Sequence, residues 1–309
     1  MAAQPARRET GTLTGPALRP QTALQDAVVS WYERNARDLP WRAPDRTPWG
    51  VLVSEFMLQQ TPVSRVEPVW RQWLARWPAP ADLAAEEPAE AIRAWSRLGY
   101  PRRALRLHAA ARSIVERHSG EVPSALDDLR ALPGVGDYTA AAVASFAFGQ
   151  RHVVLDTNVR RVLARATGGT ALPPASITTE ERRSADALVP DDGAATWSVA
   201  VMEIGALVCT AHAPRCTACP IADRCRWRLA GAPPHDGPPR RGQPWAGADR
   251  QARGRLMAVL RDMQDPVDKA TLDAVWRRDP VQRERALDGL VADGLVEPLD
   301  GDRYRLPGS

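Results

Sequence analysis

Apolar positions recur at helical spacing over most of the first 208 residues. Leu24, Val28, Trp31 and Tyr32 predict a helix over 23–37, followed by a proline-broken loop over 39–49. The run VLVSEFMLQQ, residues 51–60, is apolar on nearly every side and predicts a buried helix. Short helices are predicted over 64–76, 89–98 and 102–118, punctuated by Pro78, Pro80, Pro88 and Gly99-Tyr100-Pro101. Ser124 and Asp127 have the spacing of a capping box for a helix ending at Ala131. A tight Pro133-Gly134-Val135-Gly136 turn leads into a helix from Asp137 to about Phe148. An Arg-rich helix over 158–165 and helices over 179–188 and 194–208 follow, so the chain reads as all-α to this point. Near the end, helical runs over 250–263, 269–277 and 281–293 precede two apolar segments, 295–296 and 304–306, that flank an Asp300-Gly301 turn. Three helices and a hairpin predict a winged-helix-like domain.

Length changes the picture little: 309 residues accommodate two or three domains. The opening residues 1–22 carry no apolar signal core and read as a disordered lead, and residues 231–248 read as a Pro/Gly-rich linker. No apolar run is long enough to span a bilayer, so no membrane partner is expected and a cytoplasmic location is. The formal charge of +4 permits nucleic-acid binding without demanding it, and nearly all of the basic residues are arginine. The one lysine is Lys269. From Arg240 onward basic and acidic residues nearly balance, so the last domain lacks the basic excess of a strong DNA reader.

Four features carry chemistry. Glu55 lies inside the apolar run, where a carboxyl must be paired or must keep its proton through desolvation. The glycines of the turn, Gly134 and Gly136, allow backbone conformations that leave N–H groups pointing outward at a helix start, an anion site suited to a DNA phosphate. Asp156 follows the apolar segment 153–155 and opens the Arg-rich helix, which places a carboxylate beside the phosphate clamp. The four cysteines sit together as Cys209-x6-Cys216-x2-Cys219-x5-Cys225, a pattern that favours a metal site over disulfides. One thiolate per iron of a cubane cluster and four thiolates on one zinc are both open to this set, although zinc ribbons usually present two C-x2-C pairs and only one is present.

Several motifs in order resemble the helix-hairpin-helix glycosylases of base excision repair, specifically the MutY-type adenine glycosylases. They are LPWR at 39–42, SEFMLQQTPV at 54–63, LGY at 98–100, LPGVGDYTA at 132–140, LDTNVRRVLAR at 155–165, MEIGALVC at 202–209 and the cysteine loop. The resemblance implies an all-α helix-hairpin-helix glycosylase fold: a six-helix barrel over 48–149, an iron-sulfur domain from 23–47 and 150–230, and the appended winged-helix-like domain over 249–309. It implies one [4Fe-4S] cluster on Cys209, Cys216, Cys219 and Cys225. The expected partner is double-stranded DNA carrying adenine opposite 8-oxoguanine or guanine, met by a monomer. Glu55 would deliver a proton to the leaving adenine and Asp156 would stay ionised beside the cationic sugar, which matches the division of labour their sequence settings suggest. By the same resemblance Tyr138 and Asn158 would support these carboxylates, and Arg42, Leu58 and Glu203 would line the adenine pocket. Gln60 and Thr61 would meet the base opposite, Tyr100 would act as an aromatic wedge, and Gly134, Val135 and Gly136 would hold the DNA backbone. Pro101 stands where relatives commonly have a second tyrosine. Tyr138 stands where lyase-type relatives carry a nucleophilic lysine, so a monofunctional glycosylase using water is expected; Arg215, Arg224 and Arg226 of the cysteine loop are expected to meet DNA.

Overall fold

A computed structural model of the chain describes residues 20–235, 237 and 248–308. The expected disordered lead, up to residue 19, and most of the expected linker lie outside the described residues. The helices are α1 (Pro20–Asn35), α2 (Pro48–Leu58), α3 (Val63–Arg76), α4 (Pro80–Ala84), α5 (Pro88–Ala94), α6 (Arg102–Arg117), α7 (Leu126–Ala131), α8 (Asp137–Phe148), α9 (Thr157–Ala166), α10 (Thr179–Asp186), α11 (Ala194–Leu207) and α12 (Arg226–Leu229). The C-terminal module follows as α13 (Asp249–Asp262), β1 (Val267–Asp268), α14 (Lys269–Ala274), α15 (Pro280–Ala292), β2 (Glu297–Leu299) and β3 (Arg303–Arg305).

Helix α2 is the axis of the larger core. Pro48 opens it, the Thr47 hydroxyl caps it by accepting the Gly50 N–H, and Trp49 to Met57 are all buried, as an all-round apolar helix requires. It packs on α8, α3 and α6. Helix α6 presents a stripe of Ala104, Leu107, Ala111 and Ile114 to the same core. Trp73 makes edge-on contacts with Trp77 and Trp95 at 4.7 and 5.7 Å between ring centroids. A second core forms where α9, α11 and α1 meet, around Val28, Val159, Val162, Trp197, Val201 and Ile204.

In the C-terminal module β1 and β2 both pair antiparallel with β3, in the order β1-β3-β2. Its Leu256, Leu260, Leu272, Leu287 and Leu290 share one continuous core with the barrel helices.

The structure differs from the sequence expectation at three places. Strand β2 begins after Leu295-Val296, because these two residues serve the end of α15. Gly294 takes φ +68°, its N–H bonds Val291, the Leu295 N–H reaches back to Leu290, and both apolar side chains enter the core. The Ser124–Asp127 capping box does not form: α7 starts from Ala125 without a side-chain cap, the Ser124 carbonyl accepts from Gln150, and Asp127 pairs with Arg130. The helix expected over 89–98 ends at Ala94, since Ser96 turns into the left-handed region at φ +51°.

Candidate active site

The C-terminal half of α2, the start of α8 and the start of α9 converge on a cleft of about 890 Å³ between the two cores. Glu55, Tyr138, Asp156, Asn158, Arg42 and Leu58 all line it. Glu55 is 6% exposed. Burial pushes its carboxyl up to about 7; the Asp156 charge adds to the rise, while Tyr138 and Arg42 pull it back. Burial and both carboxylates raise the Tyr138 phenol well above its ordinary value, so it stays protonated and faces Glu55 as a donor.

Asp156 is the N-cap of α9. Its Oδ1 accepts the Val159 N–H at 2.6 Å and its Oδ2 accepts Asn158 Nδ2 at 2.8 Å. Burial moves this carboxyl upward, opposite to the direction that keeping it ionised calls for, and the Val159 and Asn158 donors oppose that move. Asn158 is fixed in turn by Arg161, whose Nη2 donates to Asn158 Oδ1 and to Gly205 O, both at 2.8 Å, while Nε donates to Cys209 O at 2.7 Å. Gly205 permits this approach of α11 to α9, since a Cβ there would sit 2.6 Å from Asn158 Cβ.

Glu203 is fully buried at 0% exposure, in direct contact with two arginines that line the cleft. Arg37 Nε and Nη2 donate to its two oxygens at 2.6 and 2.8 Å, the Arg37 N–H adds a third bond, and Arg42 Nη1 a fourth at 2.9 Å. Burial acts to raise this carboxyl, yet the arginines hold it below the usual carboxylate range. Its effect is to aim Arg37 and Arg42, which do line the cleft, and Arg37 was not foreseen from the sequence.

At the end of α2, Gln60 is exposed with φ +57° and lines the cleft mouth. The Thr61 hydroxyl is engaged internally, donating to Leu98 O at 3.2 Å and accepting from Arg103 Nη2 at 3.0 Å. Tyr100 is 58% exposed at φ +46°. Both segments are held by Arg103, another residue the sequence reading missed. Its Nη1 donates to Phe56 O, Met57 O and Gln59 O, and its Nη2 also reaches Gly99 O at 3.1 Å. Its guanidinium lies 5.2 Å from the Trp95 ring and 5.6 Å from that of Tyr100. Burial lowers its pKa to about 10, which leaves it charged at neutral pH. The available signal was an arginine at 103 in register with Leu107, Ala110 and Ile114 on the buried stripe of α6.

The two turn glycines differ. Gly134 takes φ +82°, and a Cβ there would meet Arg106 Cβ at 2.7 Å and Phe56 Cε1 at 3.0 Å. Gly136 is in ordinary extended backbone, φ −99° and ψ −179°, with open space where a Cβ would go, so the turn itself does not need glycine there. Val135 is 8% exposed and its N–H is spent on Leu132 O at 3.1 Å. The outward N–H groups are therefore those of the uncapped first turn of α8, led by Gly136. Gly134→Ala should lower stability by about 1–3 kcal/mol, read as a urea midpoint, from forced left-handed strain plus the clash. Gly136→Ala should leave the midpoint nearly unchanged.

Cys209 lies two residues past the end of α11, Cys216 opens a single 3₁₀ turn that Cys219 follows, and Cys225 precedes α12. All four are free, partly buried thiols. Burial raises Cys219 to about 11, with smaller contributions from the other three, which lie within electrostatic range of it. Arg165 donates to Cys209 Sγ at 3.4 Å and to Thr210 O and Ala211 O, and stacks 4.6 Å from the Trp227 ring. Among the described residues no three His, Cys, Asp or Glu side chains converge on a single metal ion. The loop arginines expected to meet DNA are engaged within the protein: Arg226 bonds Thr167 O at 2.9 Å, Arg215 bonds Leu207 O, and Arg224 pairs with Asp223.

A helical hairpin whose second helix starts uncapped beside two buried cleft carboxyls fits a base-excision type of protein. In agreement, residues 53–185 match the family described as the HhH-GPD superfamily base excision DNA repair protein. The chain is 52% identical over 298 residues to an adenine DNA glycosylase of Mycobacterium tuberculosis, covering 96% of each chain. It is 54% identical over 281 residues to that of Mycolicibacterium smegmatis, covering 91% of this chain and 95% of the other. A solved thermostable thymine-DNA glycosylase superposes with a TM-score of 0.62 at 25% identity, over 68% of this chain and 97% of that one. The chain belongs to the adenine DNA glycosylase family. No helix among the described residues is long and apolar enough to cross a membrane.

Proposed function

We infer that this protein is a monofunctional adenine DNA glycosylase that removes adenine mispaired with 8-oxoguanine or guanine from duplex DNA, acting as a monomer. The observation that carries the reading is the pair of carboxyls in one cleft, with Glu55 held to about 7 and Asp156 capped by fixed donors. The adenine must first leave the stack, since neither carboxyl can reach it inside the duplex. Glu55 then passes its proton to a ring nitrogen of the base as the bond from C1′ to the base breaks and its electron pair leaves with adenine. Asp156 faces the cationic sugar that remains, and Asn158, locked by Arg161, keeps that carboxylate aimed. Water adds to C1′ and its proton passes to the Glu55 carboxylate left by the first step, which restores the carboxylic acid, so atoms and charge balance. Arg37, Arg42 and Leu58 shape the base pocket, with Glu203 as the anchor behind the arginines. Gln60, beside the anchored Thr61, faces the opposite base, Tyr100 wedges the stack, and the first turn of α8 holds a phosphate.

Lysine chemistry has no candidate here. Tyr138 takes the position next to Glu55, and Lys269 lies in the C-terminal module with its ammonium bound by Asp273 and Glu284 at 2.7 Å each. The four cysteines, with only one C-x2-C pair among them, fit a [4Fe-4S] cluster held by one thiolate per iron. When bound, the cluster would cross-link the loop that Arg165 and Arg161 tie to α9. Residues 23–47 and 150–230 would form the domain that carries it, 48–149 the barrel and 249–309 the appended domain.

Single-turnover excision on duplexes with A opposite 8-oxoguanine, A opposite G, T opposite G and U opposite G tests the assignment. Strand breakage at A only after alkali, fastest opposite 8-oxoguanine, is expected. Excision confined to T or U would overturn it. Borohydride should trap no covalent DNA adduct, and an efficient adduct would refute the water mechanism.

A further inference from the structure

Several polar contacts of the C-terminal module with the barrel gather around one short turn, the one that carries Tyr100. Residues 95–102 hold Ser96, Gly99 and Tyr100 all at positive φ, +51°, +84° and +46°. Two of these are not glycine, so the turn persists only where its surroundings hold it. From the barrel side, Trp95 Nε1 and Arg103 bond Gly99 O, and Thr61 bonds Leu98 O. From the C-terminal side, Arg261 of α13 donates to Ser96 O, and Arg93, just before the turn, donates to Met263 O at 3.2 Å. Arg102, just after it, pairs at 3.0 Å with Asp293, whose other oxygen is held by Arg253 of α13. The module thus grips the turn at both ends, over a shared apolar core. Several of its own charges are spent internally: Arg283 on Asp273 and Glu284, Arg285 on Asp249, and Arg305 on Glu297.

We propose that residues 249–308 act as an intramolecular brace whose function is to hold the Tyr100 turn in its strained, wedge-ready conformation, with Asp293 and Arg261 as the positioning residues. This rests on the reading of Tyr100 as a wedge. The test compares Asp293→Ala with Arg261→Ala, singly and together, in full-length protein carrying Glu55→Gln to stop turnover. Binding is measured on a duplex with A opposite 8-oxoguanine and on the same duplex fully paired. The double variant should lose about tenfold in discrimination between the two duplexes, and the same change made in a Tyr100→Ala background should add almost nothing, because both act on one element. A conservative Asp293→Glu should recover much of the loss.

An equal fall in affinity for both duplexes would overturn the brace, as would a loss that persists undiminished without Tyr100, or no loss at all while Tyr100→Ala is itself impaired. If Tyr100→Ala alone leaves discrimination intact, the wedge reading has failed and the brace with it. Circular dichroism melts of each variant separate these outcomes from unfolding.

Discussion

Glu55→Gln is expected to reduce single-turnover excision of adenine by about 10²- to 10⁴-fold, the range for loss of a positioned general acid, while mispair binding survives. The substitution keeps shape and burial and removes only the transferable proton. The wild-type rate should fall as pH rises through about 7, because the protonated form is the donor. Stability follows pH in the same direction. A carboxyl whose folded value is raised from 4.5 to about 7 contributes stability that is fully present below 4.5 and lost as pH rises through 7. At pH 8 the wild-type protein therefore carries a penalty of about 3 kcal/mol for an ionised buried group, at 1.36 kcal/mol per pKa unit. Gln has no such penalty. The variant should be more stable than the wild type in urea at pH 8 and nearly equal at pH 4. An inactive variant that gains stability only at high pH identifies a proton store, whereas equal midpoints at pH 8 would show that Glu55 is not held protonated by burial.

Asp156→Asn should cost about 10²- to 10³-fold in the same assay, the loss typical of one electrostatic group at the reacting centre. Stability should change much less, because Asn serves as an N-cap about as well as Asp and can still accept the Val159 N–H. The new amide would, however, lose an acceptor for Asn158 Nδ2. Asp156→Ala removes the cap as well and should cost about 1 kcal/mol more in stability with a similar loss of rate. The Asp156 charge helps to raise Glu55, so its removal should also move the alkaline limb of the residual activity to lower pH. Retained activity in Asp156→Asn, or a limb that stays where it was, would remove Asp156 from the reaction.

The helices were legible because helical periodicity is a local property. The run around Glu55 announces a buried helix by its lack of any polar face, and α8 begins at Asp137 and ends at Phe148, the span its sequence predicts. Local misreadings also have local causes. Leu295-Val296 resembled a strand because two adjacent apolar residues look alike whether they extend a sheet or close a helix. Both turn glycines looked equally necessary, yet only Gly134 faces a neighbour, Arg106, that forbids a Cβ.

By itself the sequence determined the helix order, the hairpin, the acidic residue in an apolar helix and a cysteine set of one compact loop, since each is written in contiguous residues. Only the tertiary structure decided which charges meet. Glu203 is separated from Arg37 by 166 residues and Arg103 from Phe56 by 47, so their bonds leave no periodic trace. The burial that lifts Glu55 toward neutrality is likewise set by helices packed from both sides of the cleft. Desolvation and charge pairing depend on distance in space, and that distance exists only once the chain has folded.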